Sequence, residues 1–470
     1  MRRLPIDCLN NIFECLEDDQ KALYSCLLVN RLWCQISVRI LWRRIRNYNT
    51  LIACLPNESR KVLYENGISI PNSKSPIFNY ASFCKILSVD QINLKIEQLF
   101  RNQRYISSYN AYNNTYMITQ ELFKLFMNQI PSLKSLSIYL PFKQDILILY
   151  PGSRECLKDL KELYCYTDIY SDFFYQLSQI CNNIQSLTLS FRETISNNLK
   201  DLIQSQQNLK YLYMFQFYNY ENLNDIIISL TKIPNTLIKL NIYGGIHYSP
   251  LSFISNFTNL KELVLSFYNT DVFEDFNLLQ YVRFFKLEIL IFQFEFPRNE
   301  LLIKFLENNG KNLKEFYINK SNDELNLAVI KYCPNLRKLF SEFKSNDLKS
   351  LKIILNNLNY LESIKISYIE SILDDDDFNE NDLFNILVKY SPKNVYELIL
   401  SFSHKQLNFL PKELESFFIN WMNRIPQRSL TLIIVSKSVT TSSFGISNEI
   451  KKIFEKYINL GIIKKLKIGY

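Results

Sequence analysis

The sequence predicts an α/β protein, a short three-helix module followed by a long solenoid of repeated strand–helix units with a curved parallel sheet inside and helices outside. Three observations carry that prediction. The first 42 residues hold apolar stripes at helical spacing. From about residue 84, a Leu-x-x-Leu-x-Leu/Ile unit recurs at a nearly constant interval. Nothing between the copies carries the residue pattern of a catalytic centre.

In the module, Pro5 suits the first turn of a helix, where a missing backbone N–H costs nothing. Asp7 falls in that turn, where the helix dipole favours negative charge. Leu9, Ile12, Phe13 and Leu16 then recur at i, i+3, i+4 and i+7, one helical face. Glu17, Asp18 and Asp19 interrupt the pattern, and Asp18 or Asp19 can cap a second helix. Leu23, Cys26 and Leu27 form the stripe of that helix. Trp33, Ile36 and Ile40 form the stripe of a third. Three short helices bury too little surface to stand alone, so leftover apolar residues point to a partner.

Leu4-Pro5, the pair Ile12-Phe13, Leu16, and the run Val29-Asn30-Arg31-Leu32-Trp33 give this segment its resemblance to an F-box. The family usually has a proline in the first inter-helix loop; here the residues are Glu17-Asp18-Asp19-Gln20. The resemblance implies docking on a Skp-type adaptor, and through it on cullin and RING subunits. It also implies that Leu4, Pro5, Leu9, Ile12, Phe13, Leu16, Leu27, Val29 and Trp33 form the core or the adaptor face.

The repeat runs through Leu133-Leu136-Ile138, Leu160-Leu163-Cys165, Ile184-Leu187-Leu189, Leu209-Leu212-Met214, Leu237-Leu240-Ile242 and Leu260-Leu263-Leu265. It continues through Leu287-Leu290-Phe292, Leu313-Phe316-Ile318, Leu336-Leu339-Ser341, Leu361-Ile364-Ile366 and Val395-Leu398-Leu400. Leu430-Ile433-Val435 and Ile463-Leu466-Ile468 are the last and least regular, and Cys84-Leu87-Val89 lies two periods ahead of the first clear copy. From Leu133 to Leu361 the interval stays between 23 and 28 residues. Such a chain resembles the leucine-rich-repeat family, whose units run about 20–29 residues. Period-two alternation turns the Leu positions inward. Stripes such as Phe174, Leu177, Ile180 and Cys181, or Leu223, Ile226, Ile227 and Leu230, supply helices between strands. The asparagine that usually follows the strand is mostly missing, so the turns must satisfy their backbone another way. The expected organisation is 1–43 for the module, 44–83 for a breaker-rich connection, and 84–470 for the array. The array is regular over about 131–370, with longer units over 371–470. Residues 101–117, rich in Asn, Tyr and Ser, read as a long loop or a degenerate repeat.

At 47% hydrophobic and 21% charged, the chain is globular rather than disordered. No apolar run approaches the roughly 18 residues of a membrane span. The start, Leu-Pro-Ile-Asp after basic residues, is no secretory signal. Ten cysteines without a CxxC pair read as reduced core thiols, which places the chain in the cytoplasm or nucleus and leaves no metal site. A net charge of +8 is mild for 470 residues. Basic clusters at Arg39, Arg43, Arg44 and Arg46, and at Lys451, Lys452, Lys456, Lys464, Lys465 and Lys467, read as solvated faces more readily than as a nucleic-acid site. The acidic run Asp374 to Asp377 with Glu380 and Asp382 reads as a solvated loop.

His247 and His404 have no Ser or Cys partner in a recognisable motif, and no Gly-rich phosphate loop appears. The chain is therefore expected to be a non-enzyme without cofactors. Recognition belongs on the concave strand face, where Tyr164, Tyr166, Tyr211, Tyr213, Phe215 and Tyr243 should project. Glu162, Glu262, Glu315, Tyr317, Lys338 and Lys365 should project beside them. Aromatic residues are favoured anchors of binding hot spots. The two resemblances together imply the substrate-recognition adaptor of an SCF-type ubiquitin ligase, holding an unidentified client protein. Two alternatives stay open: a repeat scaffold or inhibitor whose helices are only a cap, and a ligase with its own catalytic cysteine.

Overall fold

The computed structural model describes residues 4–68, 70, 76–101, 108–139, 147–192, 194–216, 223–244, 250–320, 322–344, 348–369, 380–402, 410–425, 428–436 and 447–469. Its contacts divide the chain into two units, Met1–Thr236 and Leu237–Tyr470.

The first unit begins with α1 (Ile6–Glu14), α2 (Gln20–Cys26) and α3 (Arg31–Leu41). Asp19 caps α2 by accepting the Ala22 N–H, and Asn30 caps α3 by accepting the Trp33 N–H at 2.9 Å. These caps satisfy donors that a helix start leaves unpaired. The expected connection at 44–83 contains α4 (Tyr48–Ala53) and α5 (Asn57–Glu65). Asn47 caps α4, and Pro56 stands at the start of α5. Arg60 ties the two together by donating to the carbonyls of Leu55, Ile52 and Ala53.

The strands follow as β1 (Ile86–Ser88), β2 (Ser135–Ile138), β3 (Glu162–Tyr166), β4 (Ser186–Phe191) and β5 (Tyr211–Gln216). All pair parallel in chain order. β1 pairs directly with β2, Leu87 beside Leu136, so the sheet has no strand between them. The double period holds α6 (Val89–Arg101) and α7 (Ser108–Gln129). The stretch from Ser108 onward, expected as loop or degenerate repeat, is the start of a long helix, and 102–107 lie outside the described residues. Leu122, Phe123 and Phe126 bury its inner face, which outweighs the weak helix propensity of its Asn- and Tyr-rich start.

In the second unit the strands are β6 (Lys239–Gly244), β7 (Glu262–Phe267), β8 (Ile289–Phe294), β9 (Glu315–Tyr317) and β10 (Lys338–Lys344). They continue with β11 (Ser363–Ile369), β12 (Glu397–Phe402), β13 (Leu430–Ser436) and β14 (Ile463–Gly469). These too pair parallel in chain order. Strand–helix alternation of this kind fits a repeat solenoid. One copy is corrected by the register. Leu398 pairs with Leu432 and Leu400 with Ile434, and Leu430, Leu432 and Ile434 are the buried set of β13. Ile433 and Val435, expected inside, have the opposite parity.

Within each unit the Leu positions stack into buried columns. A fourth column lies three residues ahead of the first Leu, at Ile130, Leu157 and Cys181 in one unit and at Phe257, Phe284 and Cys333 in the other. Gln206 occupies that column and supplies what the missing asparagine would. Its Oε1 accepts the Ile184 N–H, and its Nε2 donates to the carbonyls of Cys181 and Leu202. Asn309 does the same one residue earlier in its unit, accepting from the Phe284 N–H and donating to the Val282 and Phe305 carbonyls. Buried turn groups left unpaired would each cost about 1–3 kcal/mol.

Candidate functional site

The module's core is Leu9, Phe13, Leu23, Cys26, Ile36, Ile40 and Leu41, with Leu16, Leu27, Leu32, Trp33 and Trp42 packed against it. Trp33 meets Phe13 edge to face at 5.0 Å between ring centres. Five of the nine residues expected at the core or adaptor face are therefore packing residues: Leu9, Phe13, Leu16, Leu27 and Trp33. The other four, Leu4, Pro5, Ile12 and Val29, lie outside. Ile12 shares the helical spacing of the stripe yet is 48% exposed, because the core faces Leu9 and Phe13. Sequence reasoning passed over Ile6, Tyr24 and above all Leu28, which is 88% exposed. The signal was present: Leu27 and Leu28 are consecutive at a helix end, and both cannot face inward.

Arg43 joins this module to the strands. Its guanidinium pairs with Glu14 and, at 2.8 Å, with Glu17. Partial burial opposes its charge, yet Glu14 first and then Glu17 hold its pKa above the ordinary arginine value. Its carbonyl accepts the N–H groups of Lys85 and Ile86, and Arg44 bridges to Ile86 in parallel. Trp42 lies 4.4 Å from the ring of Tyr80 at the same seam. Of the basic cluster, Arg46 also has a structural post, donating to the Leu41 carbonyl at 2.9 Å.

On the strand face of the first unit, the alternation holds. Leu163 and Cys165 point in; Glu162, Tyr164 and Tyr166 point out. The register sets Tyr164, Thr188 and Tyr213 in one row and Tyr166, Ser190 and Phe215 in the next. Glu162, Ser186 and Tyr211 make a third row. β4 thus forms a floor of Ser and Thr between aromatic walls on β3 and β5. Arg192 lies 3.7 Å over the Tyr166 ring, whose edge faces Tyr139 at 5.4 Å. Burial, and then the nearby Glu162 carboxylate, push the Tyr164 hydroxyl up in pKa. Burial raises Tyr139 to about 12.

Tyr243 belongs to the second unit, in a different cluster. Its hydroxyl is 2.8 Å from that of Tyr268, and the Tyr268 ring stacks on Phe294 at 4.1 Å. Phe294 has φ +76°, the one non-glycine residue so placed among the described residues. Elsewhere on this face the charges pair across strands: Lys239 with Glu262 at 2.7 Å and Lys338 with Glu315 at 2.8 Å. Tyr317 lies 6.0 Å from Phe340, over which Lys365 also sits. Those side chains, expected as contacts for a partner, already satisfy one another.

His247 and His404 lie outside the described residues, as do Asp374 to Asp377. Among the described residues, no group of three His, Cys, Asp or Glu could hold a metal, and no helix is long and apolar enough to cross a membrane. All ten cysteines are free thiols.

Residues 1–48 match the family model for F-box-like domains. The match supports an F-box protein and covers the three helices, Arg43 and the start of the seam. No curated protein matches the chain.

Proposed function

We propose that this chain is the client-recognition subunit of a Skp–cullin–F-box ubiquitin ligase, with leucine-rich repeats behind its docking helices. The observation that carries the proposal is the F-box-like match over a module that leaves Leu4, Ile6, Ile12, Leu28 and Val29 outside its own core. A small module with that surplus gains stability from a partner, at about 25 cal/mol per Å² of apolar surface covered. The Skp-type adaptor fills that role and brings the cullin and RING subunits.

The Ser/Thr-floored trough between Tyr164, Tyr166, Tyr213 and Phe215 is the seat we assign to the client protein. Aromatic walls around small residues suit an inserted side chain. The mechanism is proximity: a client held here is exposed to a charged ubiquitin carrier at high effective concentration, and no residue of this chain touches the transferred group. Four of the ten thiols are buried in a way that supports a non-catalytic role for them. Burial pushes Cys84, Cys156, Cys181 and Cys333 up to about 12, which keeps them protonated and poorly nucleophilic.

Co-purification with a Skp-type adaptor tests the docking half. The wild type should form a stoichiometric complex, and Leu28→Ala with Val29→Ala should lose it while keeping the fold. A wild type that binds no adaptor would reduce the module to a cap on a repeat scaffold. Replacing Tyr164 and Tyr213 by Ala tests the client half, with loss of client capture and retained adaptor binding as the expected result.

A further inference from the structure

The repeat writes a second pattern that the strand face does not use. Flanking each buried first Leu are two outward positions, one before it and one after. In the second unit the position after reads Lys261, Glu288, Lys314, Arg337 and Glu362 along successive strands from β7 to β11. Their backbones form one ladder: the Glu288 N–H donates to the Lys261 carbonyl, Lys314 to that of Glu288, Arg337 to that of Lys314 and Glu362 to that of Arg337. Between these two rows lies a groove of about 700 Å³.

Four cations line it, Lys261, Lys286, Lys314 and Arg337, against one lining carboxylate, Glu288. Glu288 is occupied by Lys314 at 2.9 Å, and Arg337 reaches Glu362 at 3.3 Å. Lys261 and Lys286 have no carboxylate partner among the described residues; Lys286 donates to the Asn259 amide oxygen at 2.8 Å. Exposed rings flank the cations, Phe285 on the approach to β8 and Tyr360 on the approach to β11. The asparagines of the outer row are already engaged: Asn312 and Asn335 donate to carbonyls of the preceding turns. The floor is therefore rigid, and the uncommitted chemistry is positive charge and aromatic surface.

We infer that this groove binds an extended acidic peptide, its carboxylates on Lys261 and Lys286 and an apolar side chain against Phe285 or Tyr360. From Lys261 to Arg337 are three strand spacings, about 14 Å, which about four residues of extended chain would span. The sign order along the inner row disfavours a nucleic acid. A backbone with evenly spaced phosphates would meet Glu288 inside the groove, whereas a peptide places its charges where the cations are. The site is distinct from the aromatic trough of the first unit and does not depend on adaptor docking.

Fluorescence anisotropy with the full chain tests it, using a short labelled peptide with Glu at alternate positions and one Phe. The peptide should bind, and added salt should weaken it. Lys261→Glu with Lys286→Glu should lower affinity by more than about tenfold. Both side chains are exposed, so an unchanged melting curve checks that the variant is folded. Equal binding of the Gln-for-Glu peptide, unchanged binding by the variant, or no binding by the wild type overturns the assignment. Tighter binding of a phosphoserine version would assign the anion to phosphate and overturn the carboxylate reading. Tighter binding of a single-stranded oligonucleotide would overturn the peptide. The assay contains no adaptor, so its failure leaves the docking proposal standing.

Discussion

In the helical module Leu28 stands 88% exposed, whereas Leu163, Leu187 and Leu212 in the strands behind it have no exposed surface. The same residue type thus does opposite work in two parts of one unit. The strands stack, and each copy covers the apolar face of the one before it. The module has no such neighbour and keeps several large apolar side chains in water. A repeat array can close its own core and leave its outward rows free for recognition. A module of about 40 residues cannot, and its surplus is the surface that the proposed adaptor would cover.

The strongest way to break that contrast is to cut the array's columns. Leu187→Ala should cost about 2–5 kcal/mol by chemical denaturation, the range for a large side chain removed from a packed core. Alkaline titration should separate the parts next. The thiols of Cys84, Cys156, Cys181 and Cys333 are raised from 9.0 to about 12, chiefly by burial. A thiol raised in the folded state stabilises fully below its unfolded value and loses that contribution as pH climbs through the folded one. Stability should therefore fall between pH 9 and pH 12. Under native conditions near neutral pH, mass spectrometry after alkylation should find label on the exposed Cys8 and Cys15 of the module and none on those four.

Gln206→Ala should cost about 1–3 kcal/mol by unpairing the Ile184 N–H and the Cys181 carbonyl, a loss the apolar residues elsewhere in the column do not risk. Leu28→Ala should do the reverse of Leu187→Ala, changing stability by less than about 0.5 kcal/mol while weakening the adaptor about tenfold in a titration. Arg43→Ala should also have a small effect, on stability alone. Its pairs with Glu14 and Glu17 are partly exposed, so the loss should stay near about 0.2–1 kcal/mol and shrink in high salt.

The strands were legible because a buried Leu at period two, repeated at a near-fixed interval, fits little besides a stack of parallel strands. β13 slipped by one residue because Leu430 to Val435 is apolar at nearly every position, so both parities fit. α7 was missed because Asn and Tyr dominate its first turns, and tertiary burial decided the matter. In the module, spacing alone could not separate Ile12 from Phe13, since both fall on a stripe wider than the core it meets. Gln206 and Asn309 are polar residues at or just past helix ends, a common place for an amide. Their meaning shows only when the columns are aligned and a lone amide stands among Ile, Leu, Cys and Phe. The basic groove was hidden for a similar reason: its lysines are one unit apart in sequence and become neighbours only when strands stack.

The seam at Arg43 has a mechanical meaning. The chain leaves the sheet at Arg44, runs through two helices, and returns at Lys85 to bond the carbonyl it left behind. The module's helices are thereby joined to the first strand by backbone hydrogen bonds instead of hanging on a tether. If the helices grip an adaptor and Tyr164 and Tyr213 receive a client, as proposed, the first unit would work as a bracket rather than a leash.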